Sequence, residues 1–245
     1  MNSVKTNSKE SGAKALPKQV VNQLVAEATA DRHGVVRVKE LSERERRRLL
    51  MHFLALDNDD RLLRFGTVLS DALVTRYVQR LDFVRDTVFG VFNAELELVG
   101  VGHLAFVPCD LKAGGPALTK KQRVAEFGLS VSRASRGQGV GVKLFERAAI
   151  HCRNEDVDTL FMHCLSSNKT MMHIAKKAGM EISRTKGEAD AFLVLKPADS
   201  ASLLQEAVEE QVALIDYIVR VNSRAAARWL SHLPDAVRAV REESK

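Results

Sequence analysis

VAEFGLSVSRASRGQGVGVKLFERAAIHC, residues 124–152, reads as a strand, a polar turn, a glycine-rich loop and a helix. Ala125, Phe127, Leu129 and Val131 alternate with Glu126, Gly128 and Ser130, which is the two-residue period of a strand. After Gly137-Gln138-Gly139-Val140-Gly141 the apolar positions Val140, Leu144, Phe145, Ala148 and Ala149 recur at helical spacing. Glycines at a helix start leave unpaired backbone N–H groups with no Cβ in front of them. The helix dipole adds to the attraction of an anion there. A P-loop would need a second glycine at Val142 and a hydroxyl at Leu144; a dinucleotide-binding loop would need a small residue at Val142. The pattern that fits is R-x-x-G-x-G, on Arg136, Gly139 and Gly141. Two readings follow: a pyrophosphate cradle, or a tight turn whose glycines serve geometry alone.

Working outward, GVVRVKEL (34–41) reads as a strand, followed by a helix with Ser42 as N-cap and Glu45 in the capping-box position. Asp57 to Asp60 breaks that helix, and a second, serine-capped helix covers Ser70 to Leu81. Asp86–Asn93 and Glu97–Val107 form a hairpin, and Cys109–Gln122 is a polar surface insertion. On the C-terminal side, Val157–Leu165 is an interior strand and Asn168–Ala178 a helix stopped by Gly179. Glu181–Arg184 and Ala191–Leu195 are two short strands. Residues 1–33 divide into a disordered tail to about residue 15 and a short helix over Val20–Ala30. From Ser200 to about Leu230 a long helix carries Leu204, Val208, Val212, Ile215, Ile218 and Val219 at heptad-like spacing. It either packs on its own domain or pairs two copies as a homodimer. The division is a tail over 1–33, a domain over 34–197 and a helical extension over 198–245.

The chain of 245 residues is 45% hydrophobic and 28% charged, ordinary for a soluble domain with a sizeable core. It shows neither a membrane span nor a signal-peptide core, and three cysteines without metal-ligand spacing read as reduced thiols; a cytoplasmic protein is expected. Its formal charge of +6 suits attraction of a polyphosphate. The cluster Arg44, Arg46, Arg47 and Arg48 is interleaved with Glu43 and Glu45, which makes it the solvated face of a helix. It lacks interleaved aromatics, and nucleic acid is not the expected partner.

The strand, the R-x-x-G-x-G loop and the order β-α-α-β-β-β-α-β-α-β-β resemble the Gcn5-related N-acetyltransferase (GNAT) family over roughly residues 34–196. The resemblance implies an α/β acyl-CoA N-acyltransferase fold, with a mixed, mostly antiparallel sheet splayed at the coenzyme site. It implies acetyl-CoA as acetyl donor, no metal, and direct transfer to a primary amine. It also implies that the main chain of Leu129, Ser130 and Val131 takes the pantetheine and that Arg136, Gly137, Gln138, Gly139, Val140, Gly141 and Val142 surround the pyrophosphate. Asn168 matches the asparagine that reaches the pantetheine or the sulfur, and it is also a helix N-cap. Glu126 is the first choice of base, through a pKa raised by burial, and His163 the second, with a satisfied core histidine as its plainer reading. The phrase AEFGLSV resembles protein-lysine acetyltransferases, so the expected acceptor is a protein lysine, with a small amine as the other option. Ala175 stands where many members carry the tyrosine acid, leaving the thiolate without a dedicated donor unless a group such as Ser167 serves. The alternative to an enzyme is a coenzyme-A-binding regulatory or scaffolding module. Arg61, Arg64 and Phe65 either face an acidic acceptor or tie a loop down, the second being expected.

Overall fold

Alternation over 124–131 becomes strand β4 (Val124–Val131), whose Ala125, Phe127 and Leu129 are buried while Glu126 is exposed. The computed structural model describes residues 35–107 and 123–242, with side chains for 35–106 and 123–225. The tail, the helix over 20–30, the insertion 109–122 and Gly34 at the start of the first expected strand fall outside the described residues.

Among the described residues seven strands make one sheet in the order β1-β2-β3-β4-β5-β7-β6. They are β1 (Lys39–Leu41), β2 (Thr87–Phe92), β3 (Leu98–Val107), β4, β5 (Thr159–Leu165), β6 (Glu181–Thr185) and β7 (Glu188–Val194). Every neighbouring pair is antiparallel except β4–β5, which is parallel. The helices are α1 (Arg46–Leu54), α2 (Asn58–Phe65), α3 (Asp71–Arg80), α4 (Val140–Asn154), α5 (Lys169–Lys177) and α6 (Ser200–Glu242).

Each face of the sheet has its own core because alternate side chains leave a strand on opposite sides. Ala125, Phe127 and Leu129 of β4 meet Leu144, Phe145 and Ala148 of α4 and Ile174 and Ala175 of α5. On the other face Val88 and Val101 meet Leu49 and Phe53 of α1 and Val74 and Val78 of α3. Phe53, Phe89 and Phe127 are fully buried, and each such side chain contributes about 1.5–3 kcal/mol by leaving water.

The Ser42–Glu45 capping box forms as its sequence dictates, opening a single 3-10 turn that leads into α1. The acidic run after α1 needs correction. It does end α1, but Asp57 then caps a further helix, its carboxylate accepting from the Asp60 N–H at 2.9 Å. Asp59 and Asp60 sit in the first turn, where the helix dipole favours them, and Gly66 closes the helix at φ 72°.

The C-terminal helix forms as expected and runs on to Glu242; its docking face takes in only part of the apolar stripe, Val212, Ile215 and Val219 being half-buried, together with a set of carboxylates. Glu206, Glu210 and Asp216 reach Arg147 of α4 and Arg37, and Ala213 is buried among them. Leu204, Val208 and Ile218 of the stripe remain exposed.

Candidate active site

Strand β4 keeps partners along its whole length on the β3 side, from Val124 against Val107 to Val131 against Gly100. On the β5 side the ladder holds only Val124–Glu126 against Thr159–Phe161. Beyond Glu126 the two strands part. The turn that follows is bent by Gly137 and Gly139, at φ 76° and 81°, a region that side chains with a Cβ avoid. Gly139 therefore serves as N-cap of α4 without a capping side chain, and the first amides of α4 are left for another acceptor.

A cavity of about 330 Å³ lies at this parting. Leu129, Ser130 and Val131 of β4 line it, together with Arg136, Gly137, Gly139, Val140, Gly141 and Val142 of the loop and Asn168 before α5. Gln138 stands apart, its amide donating to the Ala134 carbonyl at 3.1 Å. Nothing within 4 Å would meet a Cβ at Gly137 or Gly139, so the loop surface is open for a ligand to approach the backbone. That openness and the uncapped amides fit a diphosphate. The Arg136 guanidinium holds Asp60 at 2.6 Å and the Val131 carbonyl at 3.2 Å, linking the loop to α2. Asn168 is buried; its side-chain oxygen accepts from the Met171 N–H at 3.1 Å, and its amide donates to the Leu63 carbonyl at 3.4 Å.

Glu126 is exposed on the face of β4 opposite the α4 core, so the burial expected of it is absent. Around it on that face is a set of polar side chains that sequence spacing does not reveal. Arg64, from the last turn of α2, donates from Nη2 to the Tyr77 hydroxyl at 3.0 Å. Tyr77 lies 3.1 Å from His103 Nδ1, and His103 Nε2 lies 3.1 Å from Asp86. With Nε2–H donated to Asp86, Nδ1 accepts the tyrosine proton. Burial pushes the Tyr77 hydroxyl up, with Asp86 and Glu126 adding to the rise against Arg64, so it stays protonated. Deeper in, His52 donates from Nδ1 to the Leu98 carbonyl at 2.8 Å and accepts the Ser130 hydroxyl at Nε2, 2.7 Å away. Burial lowers the His52 pKa to about 4, which keeps it neutral and keeps the Ser130 proton committed to it.

His163 sits elsewhere. It is an exposed residue of β5, its Nδ1 2.7 Å from Asp190 of β7, and it neither lines the cavity nor lies in the core. Ser167 is exposed and outside the cavity as well, and Ala175 is buried in the core. Arg61 does what was expected of it: it donates to the carbonyls of Leu54, Leu56 and Leu69 and fastens the segment around α2. Among the described residues no group of histidine, cysteine and carboxylate side chains could hold a metal ion, and Cys152 and Cys164 are free and buried.

A seven-stranded mixed sheet, parted beside its one parallel pair where a glycine loop opens a helix, defines the acyl-CoA N-acyltransferase class of fold. The model of the acetyltransferase (GNAT) family matches residues 67–180, from the approach to α3 to the residue before β6. The GNAT domain of S. lividans PAT has a similar structure, with a TM-score of 0.53 at 22% identity, covering 65% of this chain and 90% of that one. An N-acetyltransferase from Staphylococcus aureus Mu50 gives 0.51 at 13% identity, over 66% and 99% of the two chains. Arabidopsis thaliana NAA60, solved with a bisubstrate analogue, gives 0.50 at 10% identity, over 67% and 100%. At these identities the likeness concerns the fold. No curated protein matches the chain in sequence.

Proposed function

We propose that this protein transfers the acetyl group of acetyl-CoA directly to a primary amine, a protein lysine in preference to a small amine. The observation that carries the reading is the parting of β4 from β5 after Glu126 and Phe161, at the mouth of the glycine loop. A strand edge without a partner can take an extended amide chain as an added strand, and pantetheine has that form. Leu129, Ser130 and Val131 would hold the pantetheine through their main chain, and an N–H of this edge would stabilise the tetrahedral oxyanion. Gly137 to Val142 would hold the pyrophosphate with backbone amides, and Asn168 would orient the sulfur end of the pantetheine. Bound there, acetyl-CoA supplies the acetyl group as an activated thioester. Glu126, exposed on the acceptor face beside that edge, would remove the proton of the incoming ammonium directly or through water. The preference for lysine rests on the resemblance of AEFGLSV to protein-lysine acetyltransferases, and the cytoplasm is the compartment proposed for it.

The test is thiol release from acetyl-CoA with a lysine-peptide library and a panel of small amines, alongside coenzyme A binding by calorimetry. The expected outcome is amine-dependent release, with Glu126→Gln lowering kcat by about 10²-fold or more and leaving coenzyme affinity intact. Binding without release by any amine would instead make the protein a coenzyme-binding module. Absence of binding to well-folded protein would end the reading altogether.

A further inference from the structure

Resting on the reading above, we propose that Arg64 is the cation that receives the thiolate of departing coenzyme A, in place of the tyrosine acid that Ala175 does not provide. Arg64 lines the same cavity as Leu129, Ser130 and Asn168, and its neighbour Leu63 accepts the Asn168 amide. Its guanidinium lies against the β4 backbone at Gly128: a Cβ there would come within 2.7 Å of Cζ and both terminal nitrogens. It therefore sits over the face of β4 that carries Glu126 and Ser130, at the level where β4 has parted from β5.

The surroundings of Arg64 hold it without neutralising it. Nearby Arg61, Arg133 and Arg136 each reach a carboxylate, Asp71, Asp57 and Asp60, at 2.7, 2.7 and 2.6 Å. Arg64 has no such partner among the described residues. Its neighbours are the Tyr77 hydroxyl and the rings of Phe53, Phe65 and Tyr77, whose centroids lie 5.9, 5.1 and 5.8 Å from Cζ. Its Nε is buried without a hydrogen-bond partner. Aromatic faces attract a cation but carry no net charge, so a positive charge without a carboxylate at ion-pair distance remains at the cavity wall.

Two species in acetyl transfer acquire negative charge at this place. The oxyanion of the tetrahedral intermediate has the main-chain N–H groups of the parted strand. The tyrosine acid is absent at Ala175, Ser167 is outside the cavity, and Tyr77 stands behind Arg64 with its hydroxyl against His103; His173 and Thr170 line the cavity from α5, on the side away from Gly128 and the guanidinium's aromatic cage. In the step assigned here the amine nitrogen forms the C–N bond, the C–S bond breaks and its electron pair leaves on sulfur. The amine proton passes to Glu126 or water, and the thiolate leaves unprotonated against the guanidinium. A cation within about 4–6 Å lowers the pKa of an anion-forming group by about 1–3 units, which favours the thiolate over the thiol as it departs.

The experiment is an ultraviolet titration of the thiol of coenzyme A bound to the wild-type protein, with calorimetry of coenzyme A and desulfo-coenzyme A on wild type and Arg64→Met. We expect the bound thiol to titrate at least about one unit below the free thiol. At a pH of about 8.5, Arg64→Met should bind coenzyme A about tenfold more weakly while binding desulfo-coenzyme A as wild type does, and Arg64→Lys should recover part of the loss. An unshifted thiol in the wild-type complex overturns the inference whether or not the variants fold, and so does equal weakening of both ligands, which marks a merely positioning role. Failure of wild type to bind either ligand removes the proposed function, and this inference with it.

Discussion

Gly128 and Arg64 share one small volume, and that is where the chemistry of single residues can be tested most directly. A methyl group at position 128 would meet the far end of a flexible side chain rather than backbone, since the contacts at 2.7 Å are all guanidinium atoms. Gly128→Ala should therefore displace Arg64 from β4 while costing little stability, about 1 kcal/mol or less. Its expected signature is the loss of the depressed thiol pKa in the coenzyme A complex, read by the same ultraviolet titration, with thermal unfolding near that of wild type. A methyl group that leaves the thiol titration untouched would mean that the guanidinium does not act from this position. Little of this was visible beforehand. Glu126, the loop glycines and Asn168 carry local patterns, a strand period, a spacing and a cap, and those patterns can be read from the chain. Arg64, Tyr77, His103, Asp86 and His52 come together from four separate elements and a turn, and no spacing announces them. DDRLLRFG was suspected of tying a loop down, which Arg61 does; that Arg64 lines the cavity required the fold.

Helix α2 shows why one element escaped the sequence while its neighbours did not. Four polar residues, Asp57 to Asp60, look like a break because acidic residues and asparagine are poor in helix interiors. At a helix start the same residues are favoured, by side-chain capping and by the dipole. The distinguishing signal was present in Gly66, eight residues after Asn58, which closes the last turn in the left-handed region. The consequence reaches the cavity, because α2 carries Arg64 and is fastened to the glycine loop by Asp57 to Arg133 and Asp60 to Arg136. Asp57→Ala removes both the cap and an exposed ion pair. The cap accounts for most of the effect, so unfolding by urea should lose about 1 kcal/mol with an unchanged slope. No change in the urea midpoint would show that α2 is held by packing alone. By contrast the strands of the sheet were legible because burial on two faces imposes a period of two, with errors confined to ends: β1 is shorter and β7 begins earlier than expected.

At the scale of the molecule, α6 lies across α4 and β1 and is joined to them by ion pairs as well as by apolar contact. Its helical period was plain in the sequence, but period alone does not say which face docks. The buried Arg147 decides it. Its guanidinium, 3% exposed, donates to Glu206 at 2.6 Å and Glu210 at 3.1 Å. Glu206 also holds His151 at 2.7 Å and the Asn154 amide at 2.5 Å. Burial works to raise the pKa of Glu206, but the hydrogen bonds from His151, Arg147 and Asn154 outweigh it and bring the value down to about 2. In the unfolded chain this carboxyl titrates near its ordinary 4.5, so below that pH the unfolded state takes up a proton that the native state refuses. The stabilisation is therefore complete above 4.5 and is lost progressively as the pH falls toward 2, a span worth roughly 3 kcal/mol. Glu206→Gln keeps the shape and removes the charge, leaving Arg147 buried with only Glu210. It should lower stability at neutral pH by about 3 kcal/mol and flatten the acid limb of the stability curve in that window, as measured by chemical unfolding across pH. Should wild type and Glu206→Gln lose stability in parallel between those pH values, the coupling between α4 and α6 would have to lie in the apolar contacts around Ala213 instead.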